Sequence, residues 1–281
     1  MCIIVHNSAV GQRVGTVRMA TYNVKLLPQA LKFGAHRPVK RARIIPELMA
    51  MDSLEVIVFQ EVFNRTAARV LMKRLQPWFP YQVGPDAYRK MGWKWGSGVL
   101  IVSKFPLERL SKIRFSDCDG WDCMGKKGGM LVRVKAPVPF QVLGTHIQSG
   151  RNTAVKLRQL QELRAMLDAA KQPGEAQWVL GDFNISNTDT MMYAALLRIL
   201  DAEDGPISGS LRYTSDHLLS DLYRYDPKKR RVVDYVLCRR NGAAMEVVKR
   251  TVRMYCKRWS ARHYDLSDHF ALRCEAAFFL E

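Results

Sequence analysis

The chain has 281 residues, 48% of them hydrophobic, enough for a substantial core. Its 44 lysines and arginines against 26 acids leave a net charge of +18, which favours anionic partners: nucleic acid, an acidic membrane surface or a phosphate-bearing substrate. No apolar run approaches the roughly 18 residues of a membrane span, and Met1-Cys2-Ile3-Ile4-Val5 lacks the flanks of a signal peptide, so the chain as written is expected to be soluble and cytoplasmic, with export or peripheral membrane attachment requiring a longer N-terminus or another route.

Taken in order, residues 17–24 alternate polar and apolar and read as a strand with Asn23 at its end. In the basic segment 39–52, Ile44, Ile45, Leu48 and Met49 recur at helical spacing. Lys40, Arg41 and Arg43 are expected on the outer side, with the helix starting near Pro46. Residues 55–61 form a near-continuous apolar strand, as when both sheet faces are covered, and finish on Gln60-Glu61. A helix follows over 65–75. Trp78-Phe79-Pro80-Tyr81 makes an aromatic turn, and 88–98 a loop or hairpin that sets Trp93 and Trp95 among cations.

Strand 99–103 leads to a Gly-, Asp- and Cys-rich stretch, 116–129, too irregular for continuous secondary structure. Its Lys126-Lys127 either faces solvent or holds a phosphate. The six cysteines form no C-x-x-C unit, so zinc is disfavoured. They read as free thiols of a reducing compartment, Cys118 and Cys123 closing a small loop only where the environment oxidises them. Strands 130–134 and 140–146 come next, the second ending on His146. Helix 153–170 carries Leu160, Leu163 and Leu167 on one face. Strand 177–180 runs into Gly181-Asp182-Phe183-Asn184, and Asn187 or Thr188 is placed to cap the following helix. Lys228-Lys229-Arg230-Arg231 reads as a solvated face. In strand 232–237, Asp234 lies among apolar residues and requires a positive or donor partner. The basic segment 249–264 delivers Ser267-Asp268-His269.

Two stretches of alternating strands and helices, with neither repeat nor long linker, predict one α/β domain over 1–281. It is expected to be built from two packed sheets with helices outside. Every candidate site residue falls at a strand end or in the loop after it. Glu61 and Asn23 offer the sparse oxygen set that suits Mg²⁺, leaving histidines and further acids for proton transfer. With neither a G-x-S-x-G elbow nor a Walker loop, metal-assisted attack of water on a phosphate ester is the chemistry that remains.

These residues resemble the endonuclease/exonuclease/phosphatase superfamily, and within it the bacterial neutral sphingomyelinases. The resemblance rests on Thr21-Tyr22-Asn23-Val24, Phe59-Gln60-Glu61, Ser97-Gly98-Val99, Val102-Ser103-Lys104-Phe105-Pro106, Gly144-Thr145-His146-Ile147-Gln148-Ser149, Gly181-Asp182-Phe183-Asn184, Asp234-Tyr235 and Ser267-Asp268-His269, in family order. It implies a deoxyribonuclease-like four-layer α/β sandwich of two mixed β-sheets, and Mg²⁺-dependent phosphodiester hydrolysis, with Mn²⁺ or Co²⁺ as substitutes. By position it implies Glu61, Asn23 and Asp268 on the metal side, and His269 as general base oriented by Asp234. Asp182 and Asn184 would position water and phosphate, and His146 would stabilise phosphoryl charge or assist the leaving group. The implied substrate is a phospholipid, the alternative a nucleic acid, met by a monomer with peripheral contact to an anionic membrane. Arg65 stands where relatives with an additional metal site carry a small polar ligand. The segment 253–264, where some relatives insert an apolar hairpin into membranes, is basic here, with Tyr255, Trp259 and Tyr264 as anchors.

Overall fold

The computed structural model of the protein describes residues 12–28, 36–85 and 96–279. Trp93, Trp95 and the start of the chain lie outside them. In chain order the elements are β1 (Arg13–Leu26), α1 (Pro38–Ala50), β2 (Val56–Val62), α2 (Arg65–Leu75), β3 (Tyr81–Val83), β4 (Leu100–Ser103) and β5 (Leu107–Arg114). Then come β6 (Gly128–Val134), β7 (Phe140–His146), α3 (Thr153–Ala169), β8 (Gln177–Asp182), α4 (Thr190–Leu200), β9 (Ser215–Asp216), β10 (Arg230–Arg231), β11 (Asp234–Arg239), β12 (Met245–Arg253) and β13 (Ala271–Phe279).

Six strands pair in the order β12-β13-β1-β2-β4-β3 and five in the order β11-β8-β7-β6-β5, with β9 and β10 as a separate short ribbon. Both sheets are mixed. Each contains one parallel pair, β1 with β2 and β7 with β8, and each pair is joined through a helix, as a parallel connection demands. Alternation along the strands sorts side chains into three apolar layers. Val56 and Val58 join Val142, Trp178 and Leu180 between the sheets. Ile57 and Phe59 point the other way, onto Ile45, Met49 and Leu71 of α1 and α2. Leu143 and Val179 meet Leu160, Leu163 and Leu196 of α3 and α4. The result is the four-layer α/β sandwich, helices outside two packed sheets.

Several local expectations are corrected. Helix α1 begins at Pro38, where a proline at the first helical position loses no intrahelical hydrogen bond, and it runs on through Pro46, which gives up one such bond but buries its ring. Arg41 is not on the outer side but fully buried, since spacing of four residues sets it in line with Ile45 and Met49. Asp189, rather than Asn187 or Thr188, caps α4 by accepting from the Met192 amide. Cys118 and Cys123 are joined in a disulfide rather than free, closing the loop around a short 3₁₀ turn, Gly120–Met124. Tyr255 and Trp259 are buried, the indole donating to the Asp265 carbonyl at 2.7 Å, so neither can anchor in a membrane. β5 and most of β12 escape the periodicity reading because they are half-buried strands with charges on their open faces.

Gly144 of β7 lets the two sheets approach closely: a Cβ there would meet Val58 Cγ1 at 2.8 Å and Val99 Cγ1 at 3.0 Å. Gly144→Val is expected to destabilise the fold by about 1–3 kcal/mol through overpacking, read as a lower urea midpoint.

Candidate active site

The two parallel pairs put the C-terminal ends of β1, β2, β7 and β8 at one edge of the sandwich, where ligands gather in open α/β sheets. Asn23 ends the regular part of β1, in register with Gln60. Pairing then slips, and it resumes at Leu26 with Val62, so Val24 and Lys25 oppose Glu61 alone. This bulge requires left-handed backbone at Lys25 (φ 46°) and Glu61 (φ 58°), strain of the kind that collects at functional sites. The buried Arg41 holds it. Its guanidinium donates to the carbonyls of Val24 (2.7 Å), Lys25 (2.6 Å), His36 (2.8 Å) and Leu266 (2.7 Å). The Ser267 hydroxyl adds a 2.6 Å bond to the Asn23 carbonyl, locking Ser267-Asp268-His269 against β1.

On the second sheet, Asp182 pairs in register with His146 on one side and Asp234 on the other. Its carboxylate is the hub. Oδ2 accepts from the Asn23 amide at 3.0 Å and lies 3.6 Å from His146 Nε2 and 3.9 Å from His269 Nε2. Oδ1 accepts from the Asn184 backbone at 2.9 Å, and Asn184 is itself left-handed (φ 48°). Asn23 also donates to Glu61 Oε1 at 3.1 Å, so one amide joins the carboxylates of both sheets. His269 Nδ1 meets Asp234 Oδ2 at 2.8 Å, which fixes the ring and turns Nε2 toward Asp182. Burial opposes charge on His269, but Asp234, Asp182 and Asp268 outweigh it and raise its pKa well above the usual imidazole range. His146 is the reverse. Burial first, and the Lys127 ammonium second, push its pKa well down, so the ring is neutral. Lys127 Nζ and Asn184 Nδ2 both point at His146 Nε2, from 3.0 and 3.2 Å.

All eight predicted residues therefore meet in one region, six of them around Asp182 or its partners. Two stand differently from expectation. The Asn23 amide nitrogen faces the carboxylates, while its oxygen accepts from the Lys25 backbone at 3.1 Å. Asp268 lies near enough to raise the Glu61 pKa, after burial itself, yet its carboxylate is already ion-paired with the Lys25 ammonium.

Reading the sequence missed Lys25, Arg41 and Thr214 as parts of the site, and left Lys127 between solvent and phosphate. Lys127 donates to Asp122 (2.8 Å) and to the Ile147 carbonyl (2.9 Å) besides facing His146, and its place at a Gly-flanked turn marked it as a phosphate candidate. The Thr214 hydroxyl accepts from the amides of Val233 and Asp234, and no local signal announces it.

Asp182, Asp234 and His269 each offer a ligand atom within 4.8 Å of the others. His269 and Asp234 are engaged with each other, however, and the Asn23 amide links Asp182 to Glu61. Glu61 is half-buried, has only a neutral amide as its hydrogen-bond partner among the described residues, and is raised in pKa by desolvation and by Asp268. A hard, oxygen-preferring divalent cation fits this donor set and would relieve that charge.

The chain belongs to the Endonuclease/Exonuclease/phosphatase family, whose model matches residues 20–269. It is similar to a sphingomyelinase C of Leptospira interrogans, 26% identical over 90% of this chain and 50% of the relative; the chain spans about half the length of the Leptospira relatives it matches. Among solved structures, sphingomyelinase C from Streptomyces griseocarneus superposes with a TM-score of 0.79 at 27% identity, over 93% of this chain and 99% of the other. A beta toxin of Staphylococcus aureus, with bound magnesium ions, shares the fold at a TM-score of 0.77 and 21% identity, over 95% of this chain and 100% of the other.

Arg41→Met, which leaves four carbonyls, two of them in fully buried bonds, without their donor, is expected to lower stability by at least about 2 kcal/mol in a denaturant melt.

Proposed function

We propose that the protein is a metal-dependent phosphodiesterase of the sphingomyelinase type, a phospholipase C that releases a phosphorylated headgroup. The observation that carries this reading is the His269–Asp234 pair aimed at Asp182, beside the under-compensated Glu61 carboxylate. Glu61, with Asp182 and Asn23 adjacent, would hold the cation, Mg²⁺ being the ion this oxygen set favours. Bound there, it would polarise a phosphoryl oxygen and offset the build-up of negative charge.

The remaining work belongs to side chains. Asp234 anchors His269 through Nδ1 and stabilises the imidazolium, leaving Nε2 as the atom that exchanges a proton with water. The surrounding carboxylates hold His269 charged, and any positive charge near Asp182 and Asp268 would lower its pKa toward the range a general base needs. Asp182 orients, fixed by the Asn184 and Asn23 amides. His146 stays neutral, and the Lys127 cation beside it adds attraction for phosphoryl oxygens.

A specific observation favours a second reading, a nuclease. The net charge of +18 suits a polyphosphate strand, and the aromatic residues of segment 253–264 are mostly buried, Tyr264 alone being open at 48% exposure. On the lipid reading, membrane contact would be electrostatic adsorption to anionic lipid. The Cys118–Cys123 disulfide supports work in an oxidising compartment.

With Mg²⁺, phosphocholine release from sphingomyelin vesicles is expected to exceed nicking of supercoiled plasmid, and EDTA is expected to abolish the activity. Plasmid nicking without phosphocholine release selects the nuclease, and activity that survives EDTA removes the metal. His269→Ala is expected to lower kcat by about 10²–10⁴-fold while Mg²⁺ still binds; turnover within a few-fold of wild type would remove the base.

A further inference from the structure

Glu61, Asp182, Asp234 and Asp268 crowd into one buried region, and each such charge needs a counter-charge or strong donors close by. Asp234 has His269, and Asp182 has two imidazoles within 3.9 Å together with the Asn23 amide. Asp268 has Lys25, an ion pair whose side chains are only 13% and 8% exposed. Glu61 has the neutral Asn23 amide.

Lys25 does not reach Asp268 by chance of a flexible stem. The bulge that gives it left-handed backbone also places Glu61, and Arg41 grips the carbonyls of both Val24 and Lys25. Its ammonium lies 5.5 Å from the centroid of the Tyr223 ring, a favourable seat for a cation. Tyr223 is held there by His217, stacked on it at 3.6 Å between centroids, and by a 3.4 Å contact with the Ser215 hydroxyl.

We infer that Lys25 is a resident cation that commits Asp268, so that the site takes one divalent ion, at Glu61, and excludes a second one from Asp268. Without the ammonium, the Asp268 carboxylate, close enough to Glu61 to raise its pKa, would be free to collect another hard cation, since divalent ions gather where oxygen ligands lack compensation. A tethered ammonium does this at no entropic cost of capture, and it keeps positive charge at the site whatever the supply of metal. Asp268 then serves to seat Lys25 and not to ligate.

The inference rests on the metal-dependent reading above, and ion counting separates the two. Mn²⁺ bound per chain at saturation, read from the loss of free-ion signal in electron paramagnetic resonance, is expected to be one for the wild type. It is expected to be two for Lys25→Met and one again for the double variant Lys25→Met/Asp268→Asn. Lys25→Arg, which keeps the charge, is expected to stay at one, and it guards against a Lys25→Met chain that fails to fold. Lys25→Met holding a single ion, or Lys25→Arg holding two, overturns the role of Lys25 and leaves the phosphodiesterase reading intact. A wild type that binds no Mn²⁺ overturns both.

Discussion

Charge compensation governs this site. Two sheets and the lead-in to β13 deliver four carboxylates to one edge of the sandwich, and the repulsion among them has to be met locally. Each is met by a different group: an imidazolium at Asp234, flanking histidines and amides at Asp182, a lysine at Asp268, and at Glu61 little more than an amide. That gradient distinguishes the arrangement from a set of structural ion pairs. It leaves one acid poised for an external cation while its neighbours are tied down, so a bound ion, a proton-exchanging nitrogen and a phosphoryl group can share the same few ångströms.

The backbone beneath is organised for that purpose. Lys25, Glu61 and Asn184 all take positive φ, each one or two residues past the point where regular β pairing breaks. Strain of this sort persists only where surroundings over-determine it. On the first sheet that surrounding is Arg41, a cation removed from water and satisfied by four main-chain carbonyls instead of a carboxylate. On the second it is Lys156, which donates to the Asn184 carbonyl at 2.6 Å. Likewise, the disulfide-closed loop carries Asp122, which positions Lys127 beside His146. Buried cations, more than acids, hold the machinery in shape.

Away from the site the surface is basic, and the segment from 253 to 264 turns its tryptophan inward, where Arg41 lies 5.8 Å from the ring. Within this segment, what remains open to solvent is mostly charge, and the attraction such charge exerts is long-ranged and weakened by salt.

Much of this was legible in the chain itself. Apolar runs bounded by turn residues gave β2, β4, β7 and β8 nearly to the residue, because strands covered on both faces leave an uninterrupted hydrophobic signature. Most of the acids and histidines stood out because each lay at one end of an apolar run, Glu61, His146 and Asp182 after it and Asp268 and His269 before it. Half-buried edge strands such as β5 and β12 did not, their solvent faces being charged. Neither did Arg41: its spacing matched the core face of α1, but its charge argued for water, and only the convergence of four carbonyls from separate segments makes its burial favourable. The Lys25–Asp268 pair spans 243 positions and the Asn23–Asp182 bond 159, separations across which local sequence carries no information. Sequence alone determined which groups the chain could bring to a phosphate; tertiary structure decided which of them neutralise one another and which is left wanting a cation, because that depends on distances set only when the two sheets pack.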